Sequence, residues 1–259
     1  MSLESEIAKL KKDNRDALRG YEETLEKRID IGSLIQRNEV AHKWKVTFAV
    51  YTIRETSCWR FVDILRQTIF LADSGNVLGA RVMTRAAIET LSSLVFINSK
   101  MGKLVEGKLG FNEFTESINS LWMGSRFESE LPETINVLTM VNNFEKEYKG
   151  IKKYFDQLCE SAHPSYVGLT EAYAKINRKE MVADIGNFWM EKYGFSHEFP
   201  LRIAIEIFEK EYNETWLQRF EDMEKWLVKN DEALETERKK SREKTSSETT
   251  ENGPPKANP

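Results

Sequence analysis

Helix breakers are nearly missing from the interior of this 259-residue chain. Of its six prolines three fall in the last six residues, and its thirteen glycines sit mostly at segment edges. Between them run long stretches whose apolar residues return every three or four positions, the repeat of one face of an α-helix. Leu3, Ile7, Leu10, Leu18, Tyr21, Leu25 and Ile29 mark the first such stripe, interrupted by Asn14. That interruption argues for a helix flanking a bundle rather than a long coiled coil. The pattern predicts an all-α protein, a bundle of about six or seven helices.

The organisation follows from where the stripes stop. Residues 1–40 read as an N-terminal amphipathic flanking helix ending in a polar joint around 32–45, and residues 41–235 as the bundle. A helix over about 43–72 carries Trp44, Phe48, Tyr51, Glu55, Cys58, Val62, Leu65 and Ile69. Asp73-Ser74-Gly75-Asn76 is turn and capping chemistry, so the next helix, from Val77, should pack antiparallel to it. A short helix is expected near 113–123. Another, after Pro132, is expected to run through Ile135, Leu138, Val141, Phe144, Ile151 and Phe155 to Cys159, stopped by Pro164. One more is expected over about 169–193 and a last from about Pro200. From residue 236 the apolar stripe dissolves into Glu, Lys, Arg, Ser and Thr, and the tail 236–259 is expected to be disordered.

Composition narrows the function classes. Net charge is -4 and pI about 5.7, so no bulk basic field for nucleic acid exists. Arg238, Lys239, Lys240, Arg242 and Lys244 form a local basic cluster that reads as a solvated helix end. The start of the chain has neither a basic n-region nor an apolar h-region, and no apolar run reaches the length of a membrane span. Two lone cysteines, Cys58 and Cys159, read as buried free thiols. A cytoplasmic protein with no membrane partner is therefore expected. With three histidines and no Walker, Rossmann, HExxH or CxxC pattern, neither a metal nor a cofactor is expected.

Three constellations can carry chemistry. Arg81, Arg85 and Glu89 lie four residues apart in Val77–Ile97, otherwise the most apolar stretch of the chain. Such spacing stacks them on one stripe of a buried helix, where unpaired charge is costly. They form either an ion-pair network that fixes register or a site for a carboxylate or phosphate. The second is Glu160-Ser161-Ala162-His163-Pro164-Ser165-Tyr166, which puts His163 at a helix end, where a general acid or base can work near neutral pH. The third is Arg37-Asn38-Glu39-Val40-Ala41-His42. The aromatic stripe Phe208, Tyr212, Trp216 and Phe220 is the signature of core.

The run Ala80-Arg81-Val82-Met83-Thr84-Arg85-Ala86-Ala87-Ile88-Glu89, with the later Leu158…His163-Pro164-Ser165, resembles a bacterial all-helical family of unknown function. The resemblance covers roughly residues 48–168. It implies that the Arg/Glu helix and the HPS helix end face one another, so that Arg85, Glu89 and His163 share a catalytic site, with Arg81, Ser161, Ser165 and Tyr166 binding around it. The Arg37…His42 segment resembles the R-x4-6-H motif of HEPN nucleases, helical and often dimeric enzymes that cut RNA without metal. That resemblance implies Arg37 on phosphate, His42 moving a proton, and Asn38 as the polar residue after the arginine. Here the motif lies early in the chain, whereas that family carries it late. Two functions follow. One is a binding, sensor or scaffold protein with an Arg/Glu/His pocket for a small anionic ligand, dimerising through its terminal helices. The other is a metal-independent endoribonuclease, a toxin or defence effector.

Overall fold

The computed structural model describes residues 3–251, with side chains described through residue 240. Among these the chain forms eleven α-helices and one two-stranded sheet, more helices than six or seven. The all-α expectation holds in its coarse form. The extra helices come from short pieces where the sequence suggests a joint or one continuous element.

Helix α1 covers Leu3–Thr24, α2 Ile31–Arg37 and α3 Glu39–His42. Asp30 caps α2 by accepting from the Gly32 and Ser33 amides, and Asn38 caps α3 through the Ala41 amide. The polar joint is thus built of capped short helices. Helices α4 (Lys45–Asp73) and α5 (Val77–Val105) form the central antiparallel pair. Gly75 turns the chain between them at φ +75°, a conformation that a side chain disfavours.

Helix α5 is the hub. It touches α4, α6 (Phe111–Trp122), α7 (Val137–Glu147), α8 (Ile151–Ala162), α9 (Trp189–Tyr193), α10 (Glu198–Lys210) and α11 (Trp216–Glu251). A helix enclosed on so many sides must be apolar nearly all round, which accounts for the composition of 77–97. Helices α7 and α8, expected as one, are separated at Gly150, where φ is +95°. A π turn, Glu211–Thr215, joins α10 to α11.

Two stretches depart from expectation. The single helix expected over 169–193 is replaced by a π turn (Tyr166–Glu171), strands β1 (Ala174–Asn177) and β2 (Val182–Ile185), and then α9. The strands pair antiparallel with Ala174 opposite Ile185 and Ile176 opposite Ala183. Ala174, Ile176, Ala183 and Ile185 therefore share one face, a period-2 pattern that overrides the helix propensity of the Lys and Glu residues around it. At the other place α11 continues to Glu251, past residue 236. A run of Glu, Lys and Arg sustains a helix by propensity without an apolar stripe. The remainder of the expected tail lies outside the described residues.

One hydrophobic core joins α1, α3 to α8, α10 and α11, while Trp189 of α9 packs with Val77 and Ala172 in a small separate cluster. Phe61 stacks on Phe208 with centroids 4.2 Å apart, and Trp216 stacks on Phe220 at 4.4 Å. Each such side chain, once withdrawn from water, stabilises the fold by about 1.5–3 kcal/mol. Asn14, the break in the α1 stripe, is fully buried and clamps α1 to the start of α10. Its Nδ2 donates to Glu198 Oε2 at 2.9 Å and to the Glu198 carbonyl at 3.4 Å. No helix among the described residues is long and apolar enough to cross a membrane.

Candidate functional site

Arg81 enters the core as the fifth residue of α5, just past its first turn, and is 6% exposed. Its Nε donates to Ser161 Oγ at 2.7 Å, one Nη to Ser196 Oγ at 2.6 Å and the other to the Gln157 carbonyl at 3.1 Å. The Tyr193 ring lies beneath it, 4.8 Å from Cζ to centroid. Each of those three acceptors is uncharged, and no carboxylate pairs with Arg81 among the described residues. Burial accordingly pulls its pKa below the ordinary arginine range. Tyr193 donates to Glu171 Oε2 at 2.5 Å, and burial followed by that carboxylate pushes its phenol up to about 12.

His197, at the start of α10, is 1% exposed, and neither ring nitrogen makes a hydrogen bond. Burial, then the positive charges of Arg81 and Lys11, push it down to about 4. The closest charged group on its own helix is Glu198, with Oε1 3.6 Å from Nε2 and a carboxyl that burial pushes up. This part of the interior is therefore positive, with a neutral histidine beside an arginine that lacks a counter-ion. Ser196, by contrast, is exposed, so the Arg81 node reaches the surface through that hydroxyl. A cavity of about 280 Å³ opens at the α5 N-terminus, lined by Asn76, Leu78, Gly79, Tyr173, Asn187 and Trp189 among others but not by Arg81, Ser161 or Ser196.

The other stripe residues behave differently. Arg85 pairs with Glu89 at 2.9 Å, both side chains about one-quarter exposed, and lies against the Phe155 ring and Cys159 of α8. Ser92 and Ser93 return their hydroxyls to the Glu89 carbonyl at 2.7 and 3.4 Å. His163 ends α8 in extended conformation and is exposed. Among the described residues no hydrogen bond or ion pair links it to Arg85 or Glu89. Ser165 shapes the corner: its Oγ donates to the Glu160 carbonyl at 3.1 Å and accepts from the Gly168 amide at 3.5 Å. Gly168 is required there, since a Cβ would lie 2.1 Å from the His163 carbonyl oxygen. Tyr166 points outward, 68% exposed. The structure thus brings Arg81 to Ser161 and Arg85 to Glu89, and leaves His163, Ser165 and Tyr166 outside that contact.

Arg37 and His42 do converge. Glu224 of α11 accepts from Arg37 on Oε2 at 2.8 Å and sits against His42 Nε2 with Oε1 at 2.7 Å. His42 Nδ1 lies 3.1 Å from Thr47 Oγ1, whose own proton goes to the Trp44 carbonyl at 2.9 Å. Both ring nitrogens are thus engaged, and the ring side chain is only 2% exposed. Asn38 is occupied in capping α3. Glu224 escapes a reading of the motif alone, being 187 residues from Arg37. Its signal is a carboxylate placed within the stripe Phe220, Met223, Leu227.

Two buried networks were also outside the motifs. Arg54 pairs with Glu55, donates to the Tyr212 carbonyl at 3.1 Å and lies 3.7 Å over the Tyr212 ring, while the Tyr212 hydroxyl donates to Glu55 at 2.7 Å. Glu211, in the π turn, accepts from Asn98 at 2.7 Å, Tyr148 at 2.6 Å and Thr215 at 3.3 Å. Among the described residues no group of His, Cys, Asp and Glu is placed to hold a metal ion.

Comparison with known proteins adds no relative. No family model matches the chain, and neither a curated protein nor a solved structure matches it.

Proposed function

We propose that this protein is a helical binding protein whose Arg81 node recognises a small anion. The observation that carries the reading is a buried guanidinium held only by neutral oxygens. Withdrawing an arginine from water costs several kcal/mol, and a carboxylate ordinarily offsets that cost. Ser161 and Ser196 accept from Arg81 with their oxygens, so each hydroxyl proton is free to point at an anion. The exposed Ser196 provides the approach, and the adjoining α5 N-terminus adds positive potential. A phosphate or carboxylate is the matching chemistry. Kinship with the bacterial helical family, a cytoplasmic location and dimerisation through α1 and α11 belong to the same proposal.

The test is thermal unfolding with phosphate, sulfate and citrate, each matched in ionic strength with sodium chloride. A ligand at a hundredfold its Kd stabilises by about 2.7 kcal/mol. The shift should shrink in Ser196→Ala and Arg81→Lys. A wild-type midpoint that answers ionic strength alone defeats the reading.

A second reading, metal-independent RNA cleavage, is favoured by one geometric fact: Arg37 and His42 share the Glu224 carboxylate. Arg37 would hold phosphate and His42 would move a proton once Glu224 releases them. The burial of His42 and the engagement of both its nitrogens place this reading second. Labelled RNA incubated with wild type, His42→Ala and His163→Ala decides it. Cleavage lost in His42→Ala makes the protein a nuclease working at that cluster.

A further inference from the structure

The stretch from Tyr166 to Ile185 buries almost nothing of its own. Only Ala172 is withdrawn from water, and it packs with Val77 and Trp189 rather than with the hairpin that follows. That hairpin is two-faced. One face carries Lys175 and Asp184, opposite one another in register. Lys175 turns towards the body of the protein, where its Nζ pairs with Glu191 of α9 and lies 4.2 Å over the Phe188 ring. The other face holds Ala174, Ile176, Ala183 and Ile185 and no charge. Ile176 is 65% and Ile185 79% exposed. An antiparallel sheet with one apolar face ordinarily turns it to a core and gives the polar face to water. Here the directions are reversed. A two-stranded hairpin alone is marginal in water, and a partner packed on its apolar face stabilises it.

Charge, shape and area together choose that partner. The residues after 240 cannot cover the face, since 241–259 contain no Val, Leu, Ile, Met or aromatic residue. An anionic lipid or nucleic-acid surface finds no field to follow, because Arg178 and Lys179 at the turn are offset by Glu180 and Asp184. The register sets Ala174 beside Ile185 and Ile176 beside Ala183, so large and small side chains alternate along each strand and across the pair. Turned face down on a copy of itself about a twofold axis parallel to the strands, this pattern puts every isoleucine over an alanine. Such self-complementarity is what a twofold contact requires, and alternating sizes fill the layer between two sheets. Pairing edge to edge would instead leave the same face uncovered and twice as large. Met181 precedes β2, and Tyr166 and Leu169 lie in the π turn that contacts β1; all three are exposed. With the four face residues they offer roughly 500–800 Å² per copy, so a pair buries about 1,000–1,600 Å², the size of a specific interface.

We propose that the β1–β2 hairpin is a self-association arm, through which two copies of this chain dock apolar face to apolar face with each isoleucine seated on an alanine of the other copy. The contact is at the small end of its class, so the pair forms and separates with protein concentration. It uses no residue of α1 or α11, and its dimer is therefore distinct from one built on the terminal helices.

The experiment is sedimentation equilibrium of the full chain between about 1 and 300 µM, over which wild type should pass from monomer to dimer with a Kd of about 1–100 µM. The double variant Ile176→Lys, Ile185→Lys should stay monomeric throughout. At low concentration it should melt with wild type, since neither side chain is buried within one copy. Ala183→Leu adds apolar surface and should nonetheless weaken pairing by about tenfold or more, because leucine fills the place that an isoleucine of the other copy enters. A wild type that remains monomeric overturns the proposal, and one that does so while binding phosphatidylglycerol vesicles overturns it in favour of a lipid surface. Pairing that survives in the double variant puts the contact elsewhere, and pairing strengthened by Ala183→Leu refutes the seating of isoleucine on alanine. A double variant that melts lower than wild type means that the face is covered within one copy, and this too overturns the proposal.

Discussion

Lowering the pH should unfold this protein partly through one residue. His197 takes a proton near its ordinary 6.5 when the chain is unfolded, but only near 4 when folded. From pH 7 downward the unfolded chain therefore binds the proton first, and the contribution of His197 to stability falls with pH. The contribution is complete above 6.5 and is lost progressively towards 4. Integrating proton binding between these values gives a loss of about 2 kcal/mol by pH 5 and about 3 kcal/mol by pH 4. Glu198, whose carboxyl burial pushes upward, acts in the opposite direction, so wild type alone cannot isolate the histidine. His197→Leu does so. The ring nitrogens make no hydrogen bond, so leucine forfeits packing only, a cost that does not depend on pH. Urea denaturation of both proteins at pH 7, 6, 5 and 4, in buffers free of phosphate, yields the difference. Wild type should lose about 3 kcal/mol relative to the variant across this range. A difference that stays flat from pH 7 to 4 refutes the buried, neutral histidine and with it the positive interior around Arg81.

Two other perturbations report on distinct parts of the fold. Glu211→Ala deprives Asn98, Tyr148 and Thr215 of one acceptor and should cost about 3 kcal/mol in urea denaturation, against about 1 kcal/mol for Tyr148→Phe. Equal costs would mean that the carboxylate does not hold the three together. Met181→Gly should tighten the hairpin, because Met181 stands at φ +56° with its side chain 89% exposed. A gain of about 1 kcal/mol appears as roughly fivefold slower amide exchange in Val182–Ile185, and unchanged exchange would dismiss the strain.

How much of this is readable in the sequence depends on distance along the chain. The α4–α5 pair is readable because its signals are local: two long stripes and an Asp-Ser-Gly-Asn turn. The hairpin at 174–185 is harder, since Ala174/Ile176 and Ala183/Ile185 mark a face only two residues deep on each strand, among helix-forming lysines and glutamates. For the site, the Arg81/Arg85/Glu89 spacing shows three charges on a buried helix, and Ser161 lies within the motif expected to face it. The partners that define the chemistry come from elsewhere. Ser196 and His197 follow the hairpin, and Glu224 lies on α11, where a single carboxylate beside Met223 is the whole of its local signal. Separation in the stripe also fails to distinguish Arg81, which turns inward to α8, from Arg85, which pairs with its own helix.

The contacts of the N-terminal helices carry a consequence for biosynthesis. Asn14 finds Glu198, Arg37 and His42 find Glu224, and Lys43 finds Asp231, spans of 182 to 188 residues. Translation at about 5–20 residues per second separates the appearance of such partners by roughly 10–40 s. Throughout that interval α1 to α3 lack these far partners, and Tyr21, which Phe61 can already meet, still waits for Phe208. This early segment is thus among the last to complete its buried contacts, and holding it soluble in the meantime falls to the exposed Lys, Arg and Glu residues of α1.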